Sequence, residues 1–153
     1  MRIRVIYDKD LGLLKIPVTL KSSHKRISVL IVVDTGSPNT LLNYTDSRML
    51  NIPFIEPSGI IKIGGDKYRS YSYNKIEIIF KSLGGDPIAE KIPVKILRPS
   101  SSRIDDLEEL DSFPNILGLD FLRLGYKFIC DLQNNEIYLE KQEESKKDNF
   151  KNF

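Results

Sequence analysis

The chain has 153 residues and a formal net charge of +2, from 23 lysines and arginines against 21 aspartates and glutamates. This length favours one domain with a real hydrophobic core, and it is small for an enzyme that carries two lobes of its own. The small net charge gives no argument for nucleic acid or an anionic membrane surface as a partner. The longest uninterrupted apolar stretch, Val29 to Val33, is far too short to span a bilayer.

Strands dominate the first third of the chain. Arg2 to Tyr7 and Gly12 to Leu20 have strand character, and Pro17 should confine part of the second one to a sheet edge. Arg26 to Val33 gives the strongest signal because it is rich in β-branched residues. Its apolar residues fall on both faces, which predicts a strand buried between layers.

Two short helices are predicted. The first runs from Thr45 to Leu50, with Thr45 or Asp46 as its N-cap. The second runs from Asp120 to Leu124. Asp120 precedes two apolar residues, so it suits a helix N-cap or a salt bridge better than a catalytic role.

The middle of the chain has the pattern of a hairpin and a long loop. Gly59 to Phe80 alternates around a two-glycine turn signal at Gly64-Gly65-Asp66. A second turn signal at Gly84 to Pro87 precedes a strand at Lys91 to Leu97. Arg98 to Asn115 is a polar loop, and loops of that length are usually functional or mobile.

The end of the chain predicts one more hairpin. Phe128 to Leu132 and Glu136 to Glu140 flank Asn134-Asn135, a pair that tolerates positive φ. Asp131 is therefore expected to be a strand-end or turn residue. Many short strands separated by turns predict an all-β fold, a closed or partly closed barrel with one or two short helices. We expect a single domain over residues 1–140 and a charged, flexible tail over 141–153.

The single cysteine and the single histidine bear on compartment and cofactors. Cys130 has no partner for an internal disulfide, which fits a reducing compartment, and its apolar strand predicts that it is buried in the core. Met1 leads into an alternating segment and not into the apolar core of a signal peptide. His24 has no cysteine cluster beside it, which argues against structural zinc. We expect a soluble cytoplasmic protein without metal or cofactor.

An aspartate stands directly after the strongest strand, in the motif Val33-Asp34-Thr35-Gly36-Ser37. Gly36 leaves room above the carboxylate, while the hydroxyls of Thr35 and Ser37 can orient it and stabilise its ionised form. Two carboxylates about 3 Å apart share one proton, so one can activate water while the other polarises a peptide carbonyl. The motif occurs once, so the second carboxylate would have to come from a second copy of the chain.

The motif resembles the active-site signature of aspartic peptidases, and its layout resembles the retropepsin-like branch, the single-domain relatives of retroviral proteases. Ile63-Gly64-Gly65-Asp66 is similar to the glycine-rich flap tip of that family. Ile116 to Leu122 resembles its apolar-apolar-glycine segment and following helix, which pack against the catalytic loop. Phe128 to Leu132 and Ile137 to Leu139 resemble its closing hairpin.

The resemblance implies a homodimeric aspartic endopeptidase that acts on extended peptides. Asp34 would be the catalytic aspartate, Thr35 would interlock with its symmetry mate, and Gly36 would line the substrate cleft. The residues expected to bind substrate lie in the loop and the flap: Ser37, Ile63, Gly64, Gly65 and Asp66.

Two alternatives stand beside this hypothesis. The first is a catalytically silent module of the same fold that dimerises or captures peptides, although such a module need not keep the motif around Asp34. The second is a phosphate-binding loop of the actin and sugar-kinase type, in which an apolar strand also ends in Asp-X-Gly. That class needs two α/β lobes, for which this chain has too few residues and too few predicted helices.

Overall fold

A computed structural model describes residues 1–63, 66–100 and 113–142, with the backbone alone at Asp66 and Lys75. Most of these residues lie in strands, which are β1 (Arg2–Arg4), β2 (Ile6–Asp8), β3 (Leu13–Lys21), β4 (Arg26–Val33), β5 (Leu41–Leu42), β6 (Pro57–Ile63), β7 (Asp66–Lys81), β8 (Pro87–Pro99), β9 (Asn115–Leu117), β10 (Tyr126–Asp131) and β11 (Glu136–Lys141). Two short helices accompany them, α1 (Tyr44–Met49) and α2 (Leu119–Leu122). None of the helices within these ranges is long and apolar enough to cross a membrane.

The larger sheet closes into a barrel. Its strand order is β2-β3-β4-β9-β5-β8-β7-β6, and an additional pairing joins β3 to β7. The strands β3, β4, β9, β5, β8 and β7 therefore form a closed ring, which leaves no free edge within it. Most pairs are antiparallel, but β4 pairs in parallel with β9, and β5 with β8. The all-β barrel predicted from the sequence is confirmed.

The alternation of β3 shows how the sequence fills this barrel. Ile16, Val18 and Leu20 are buried while Pro17 between them is exposed. Pro17 faces Leu30 of β4, and on its other side β2 pairs only as far as Lys15 and β7 begins at Val18. The proline thus occupies a local gap in the ladder, where its missing N–H costs no hydrogen bond, as predicted.

The burial predicted for β4 is only half right. Ile31 to Val33 are buried, but the side chain of Leu30 is 52% exposed. Layers cover both faces of the strand only near its end. The consequence for the site is that the last three residues before Asp34 anchor it in the core.

The N-terminal segment does not form one strand. Val5 is buried, and its N–H donates to Ile137 O at 3.0 Å, between β1 and β2. β1 joins a separate three-stranded sheet of order β1-β11-β10, while β2 continues into the barrel sheet.

Cys130 is exposed, so its predicted burial is wrong. It lies near the end of β10, an edge strand with a neighbour on only one side.

The cap of α1 also differs from the prediction. The helix begins at Tyr44, and its N-cap is Asn43, whose side-chain oxygen accepts from the N–H of Asp46 at 2.8 Å. Thr45 and Asp46 therefore lie inside the helix.

The turn after β10 has the predicted backbone conformation, since Asn135 has a positive φ of 54°.

Three predicted features fall wholly or partly outside the described residues. β6 and β7 form the expected hairpin, with Ile63 opposite Asp66, but Gly64 and Gly65 between them are not described. The predicted 98–115 loop is described only at its two ends, where β8 runs to Pro99 and β9 begins at Asn115. Of the predicted tail, Lys141 ends β11 and residues 143–153 are not described.

Candidate active site

The loop after β4 holds Asp34 in a fixed position. The N–H of Asp34 donates to Leu117 O of β9 at 3.1 Å, which extends the parallel pairing of the two strands to the aspartate. The N–H of Ser37 donates back to Asp34 O at 3.1 Å and closes a tight turn. The N–H of Gly36 donates to Asp34 Oδ1 at 2.8 Å. The carboxylate is therefore oriented by the backbone of its own loop.

The tip of this loop opens outward. Asp34 is half-buried, while Thr35 and Gly36 are exposed. A Cβ added to Gly36 would stand 3.1 Å from Asp34 Oδ1, closer than an ordinary contact. A side chain there would press on the carboxylate, so the glycine keeps its surroundings open.

The two hydroxyls of the motif do not reach the carboxylate. Ser37 Oγ donates to the carbonyl oxygen of Asn39 at 2.7 Å, so it stiffens the loop beyond the aspartate. Thr35 Oγ1 makes no hydrogen bond within the described part of the chain, and Thr35 is exposed. The predicted bond to the loop is present for Ser37, whereas neither hydroxyl bonds to the Asp34 carboxylate within the described part of the chain, so the predicted stabilisation of its ionised form by the hydroxyls is not seen there.

A segment far along the sequence clamps the loop from behind. The N–H of Leu119 donates to Ser37 O at 2.8 Å, and the N–H of Asp120 donates to Pro38 O at 3.3 Å. A Cβ on Gly118 would stand 2.4 Å from Asn39 O and 2.8 Å from Ser37 O. Only glycine permits this approach of two backbones. The packing expected of this segment against the loop is present.

Asp120 is a structural tether. Its Oδ2 accepts from Thr40 N at 2.9 Å, and its Oδ1 accepts from Thr40 Oγ1 at 2.7 Å. Thr40, which is fully buried, also accepts from the N–H of Gly118 at 3.1 Å. The N-cap of α2 is Gly118, and no cation within the described ranges forms an ion pair with Asp120. Asp120 therefore has a structural role, as predicted, but it is neither the predicted helix N-cap nor a salt-bridge partner within the described ranges.

A second apolar cluster lies beside the strand that carries Asp34. Ile116 of β9 pairs with Val32 on one side and with Leu41 of β5 on the other. Ile61 and Ile63 of the hairpin pack against the same cluster. Its members are Leu41, Tyr68 and Leu97, with Tyr44, Ile61, Ile63, Phe113 and Ile116 packed around them. We call this set the cleft cluster.

Most of the cleft cluster was not found from the sequence. Ile63 was predicted to bind substrate; it packs against this cluster, and its binding role stays a prediction. Leu41 and Ile116 were not predicted to belong to this cluster, although Leu41 closely follows the motif and Ile116 opens the segment Ile116-Leu117-Gly118. Their positions next to both motifs were the available signal.

The other acidic residues considered are engaged elsewhere. Asp131 Oδ2 accepts from Asn134 Nδ2 at 2.8 Å, and its Oδ1 accepts from Asn134 N at 3.1 Å. These bonds hold the pKa of Asp131 below its ordinary value. Across the described ranges, no group of three or more His, Cys, Asp or Glu side chains could hold a metal ion. One chain thus contributes one aspartate, Asp34, to the loop.

Comparisons with known proteins agree on the architecture. No protein-family profile matches the chain, and no curated protein matches it significantly. A retropepsin-like aspartic protease from Rickettsia conorii superposes with a TM-score of 0.58 at 13% identity, covering 92% of this chain and 98% of that one. The EIAV protease complexed with the inhibitor HBY-793 superposes with a TM-score of 0.50 at 18% identity, covering 82% of this chain and 100% of that one. The chain therefore has a retropepsin-like fold.

Proposed function

We propose that the protein is a homodimeric aspartic endopeptidase in which Asp34 from each of two copies forms the catalytic dyad. One observation carries this proposal. Asp34 is fixed by backbone hydrogen bonds at the open end of a core strand, on a retropepsin-like fold. Similar structures include aspartic proteases from a bacterium and from EIAV, which supports peptidase chemistry for this chain as well.

The loop geometry favours a shared site. Peptide hydrolysis by this route needs two carboxylates, and one chain supplies one. A two-fold axis would bring identical loops together, so each Asp34 would meet its own symmetry mate. Thr35 and Gly36 are exposed and would lie at that contact. The hydroxyl of Thr35 would then find its hydrogen-bond partner in the second copy.

The chemistry follows from the state of the dyad. Two adjacent carboxylates share one proton. The ionised one takes a proton from water, whose oxygen attacks the peptide carbonyl carbon, while the protonated one gives its proton to the carbonyl oxygen. The tetrahedral intermediate then breaks its C–N bond. The leaving amine takes up the proton that the dyad gained from water, and a hydroxyl of the intermediate returns its proton to the other carboxylate, so the dyad again holds one proton. The bond from Gly36 N–H to Asp34 Oδ1 uses only one of the acceptor sites of the carboxylate, so the water and the partner carboxylate can still bond to it.

The cleft cluster suggests the substrate. Ile116, backed by the buried Leu41, would form a wall beside the dyad, and Ile61 and Ile63 would cover it from the hairpin. Such walls favour apolar side chains on an extended peptide, which can also bond to strand-like backbone. We assign the flap to the hairpin tip around Gly64, Gly65 and Asp66, and the site of action to the cytoplasm.

The test compares the parent protein with Asp34→Asn by sedimentation velocity and by cleavage of an unstructured polypeptide. Asp34→Asn should remain dimeric and lose activity by about 10² to 10⁴-fold, the usual loss when general acid–base catalysis is removed. Asp10→Asn removes an exposed carboxylate far from this loop in sequence and should leave cleavage unchanged. Equal cleavage by Asp34→Asn would refute the proposal. Peptide binding without turnover over a wide pH range would favour the silent module.

A further inference from the structure

An open cavity of about 580 Å³ lies between α1, the segment after it and the end of β8. It is separate from the loop of Asp34. Six residues line it: Tyr44, Arg48, Asn51, Ile52, Phe54 and Arg98. Two of them are cationic and none is acidic. We call it the arginine cavity.

The two arginines come from distant parts of the chain, line the same cavity and have no acidic partner among the described residues. Arg48 belongs to α1 and stacks over the ring of Tyr44 at 5.5 Å, whereas Arg98 belongs to β8. Both residues are exposed, and neither forms an ion pair within the described part of the chain. Two guanidinium groups in one concavity repel each other unless an anion lies between them. Their planar forks match carboxylates, which they can bind with two parallel hydrogen bonds.

Positive charge continues from the cavity along the hairpin. Ile60, Arg69 and Arg98 stand opposite one another across β6, β7 and β8, so their side chains share one face. Lys62 and Lys67 form the next pair on that same face. All five residues are exposed. We call Lys62, Lys67, Arg69 and Arg98 the cationic row.

Within the described ranges, the acidic groups closest to this face form no ion pair with it. Asp46 on α1 accepts a hydrogen bond from Asn115 Nδ2 at 2.6 Å, which directs its carboxylate toward β9. Glu56, before β6, forms no ion pair within the described ranges. Among the described residues this face carries an excess of positive charge, whereas the chain as a whole has a net charge of only +2.

The opposite face of the same hairpin packs on the cleft cluster through Ile61 and Ile63. A polypeptide that binds against Ile61 and Ile63 on one face of the hairpin could therefore extend around the edge of the hairpin and contact the cationic row on the other face. We propose that the arginine cavity and the cationic row bind an acidic segment of the polypeptide substrate, outside the cleft. That the acidic segment belongs to a substrate rests on the proposed peptidase function. Binding of an acidic peptide can nevertheless be measured without turnover.

The test uses the full chain carrying Asp34→Asn, so that no peptide is consumed. The probe is a fluorescent peptide with a run of glutamates, and its matched control has glutamines at the same positions. Fluorescence anisotropy should show binding of the glutamate peptide only. Adding Arg48→Gln and Arg98→Gln should weaken that binding by at least about tenfold, because charge-assisted pairs are lost.

A charge-matched control separates the cavity from net charge. Arg26→Gln with Lys127→Gln removes two exposed cations elsewhere, on β4 and β10, and should leave binding within about twofold. Arg98→Lys keeps the charge but not the fork, so it should give an intermediate loss. It also serves as the second variant if the double substitution at the cavity perturbs folding, which circular dichroism would reveal.

Three results would overturn the proposal: equal binding of the glutamate and glutamine peptides, equal weakening by the two double variants, or unchanged binding after the cavity substitutions. Displacement by a single-stranded oligonucleotide at lower concentration than by unlabelled glutamate peptide would also overturn it, in favour of nucleic acid. Failure of the proposed peptidase function gives a different result, because the parent protein and Asp34→Asn would then cleave the polypeptide equally.

Discussion

Gly118→Ala should damage the protein through sterics alone. The φ of Gly118 is −97°, which any residue adopts, so backbone strain does not enter. The new Cβ would stand 2.4 Å from Asn39 O, 2.5 Å from Asn39 C and 2.8 Å from Ser37 O. An ordinary contact begins at 3.4 Å, so the loop that follows Asp34 must move by about 1 Å.

The expected cost follows from that displacement. Overpacking a well-filled site usually costs about 1 to 3 kcal/mol, and we expect about 3 kcal/mol here because all three contacts are with backbone. Urea unfolding at equilibrium measures this loss through the midpoint, with an unchanged m-value. Cleavage should fall further, by about 10²-fold, because a 1 Å misplacement of catalytic groups has an effect of that size.

Gly84→Ala is the matched control. The nearest atom to its added Cβ is Ser82 Oγ at 3.9 Å, and Gly84 does not have a positive φ. Its stability should change by less than about 1 kcal/mol, and it can rise because alanine restricts the unfolded chain. Equal stability and equal activity of Gly118→Ala and Gly84→Ala would contradict the steric clash.

Three further predictions concern the tether, a buried tyrosine and the cysteine. Thr40→Val keeps the shape of the side chain but leaves Gly118 N–H without its acceptor, so urea unfolding should show an unfolding free energy lower by about 3 kcal/mol. Thr40→Ser keeps the hydroxyl and should lower it by only about 1 kcal/mol. Equal losses for the two variants would contradict the role of Thr40 as a tether. Burial and the hydrogen bond to Glu90 raise the pKa of Tyr126 above its ordinary 10.0. The stability that this shift contributes is complete below pH 10 and is lost as pH rises through the folded pKa, so the unfolding free energy of the parent should fall more steeply above pH 10 than that of Tyr126→Phe; parallel curves would argue against it. Cys130 should react with a thiol reagent in the native protein as fully as in urea, and protection without denaturant would contradict its exposure.

Local sequence was enough to place the loop of Asp34. The apolar run from Val29 to Val33, β-branched except at Leu30, favours a strand, and the polar tripeptide with a glycine that follows favours its end. The observed β4 has the predicted bounds, Arg26–Val33. Barrel closure was also predictable, because many short strands separated by turns have few other ways to cover their edges.

Features that depend on distant partners could not be predicted. The exposure of Leu30 and Cys130 depends on which strands cover them, and apolar character alone does not reveal that. The bond from Thr40 to Asp120 joins residues 80 positions apart. Asn43 was missed as the cap of α1 because several neighbouring polar residues can cap a short helix equally well by sequence.

Mixing the parent protein with Asp34→Asn measures whether two copies of Asp34 share one active site. The two proteins are combined in equal amounts, allowed to exchange subunits, and assayed for cleavage at a fixed total concentration. If random dimers form and only those with two intact aspartates cleave, activity falls to about one quarter of that of the pure parent. Activity of one half would mean that each chain works alone, and it would contradict the shared dyad.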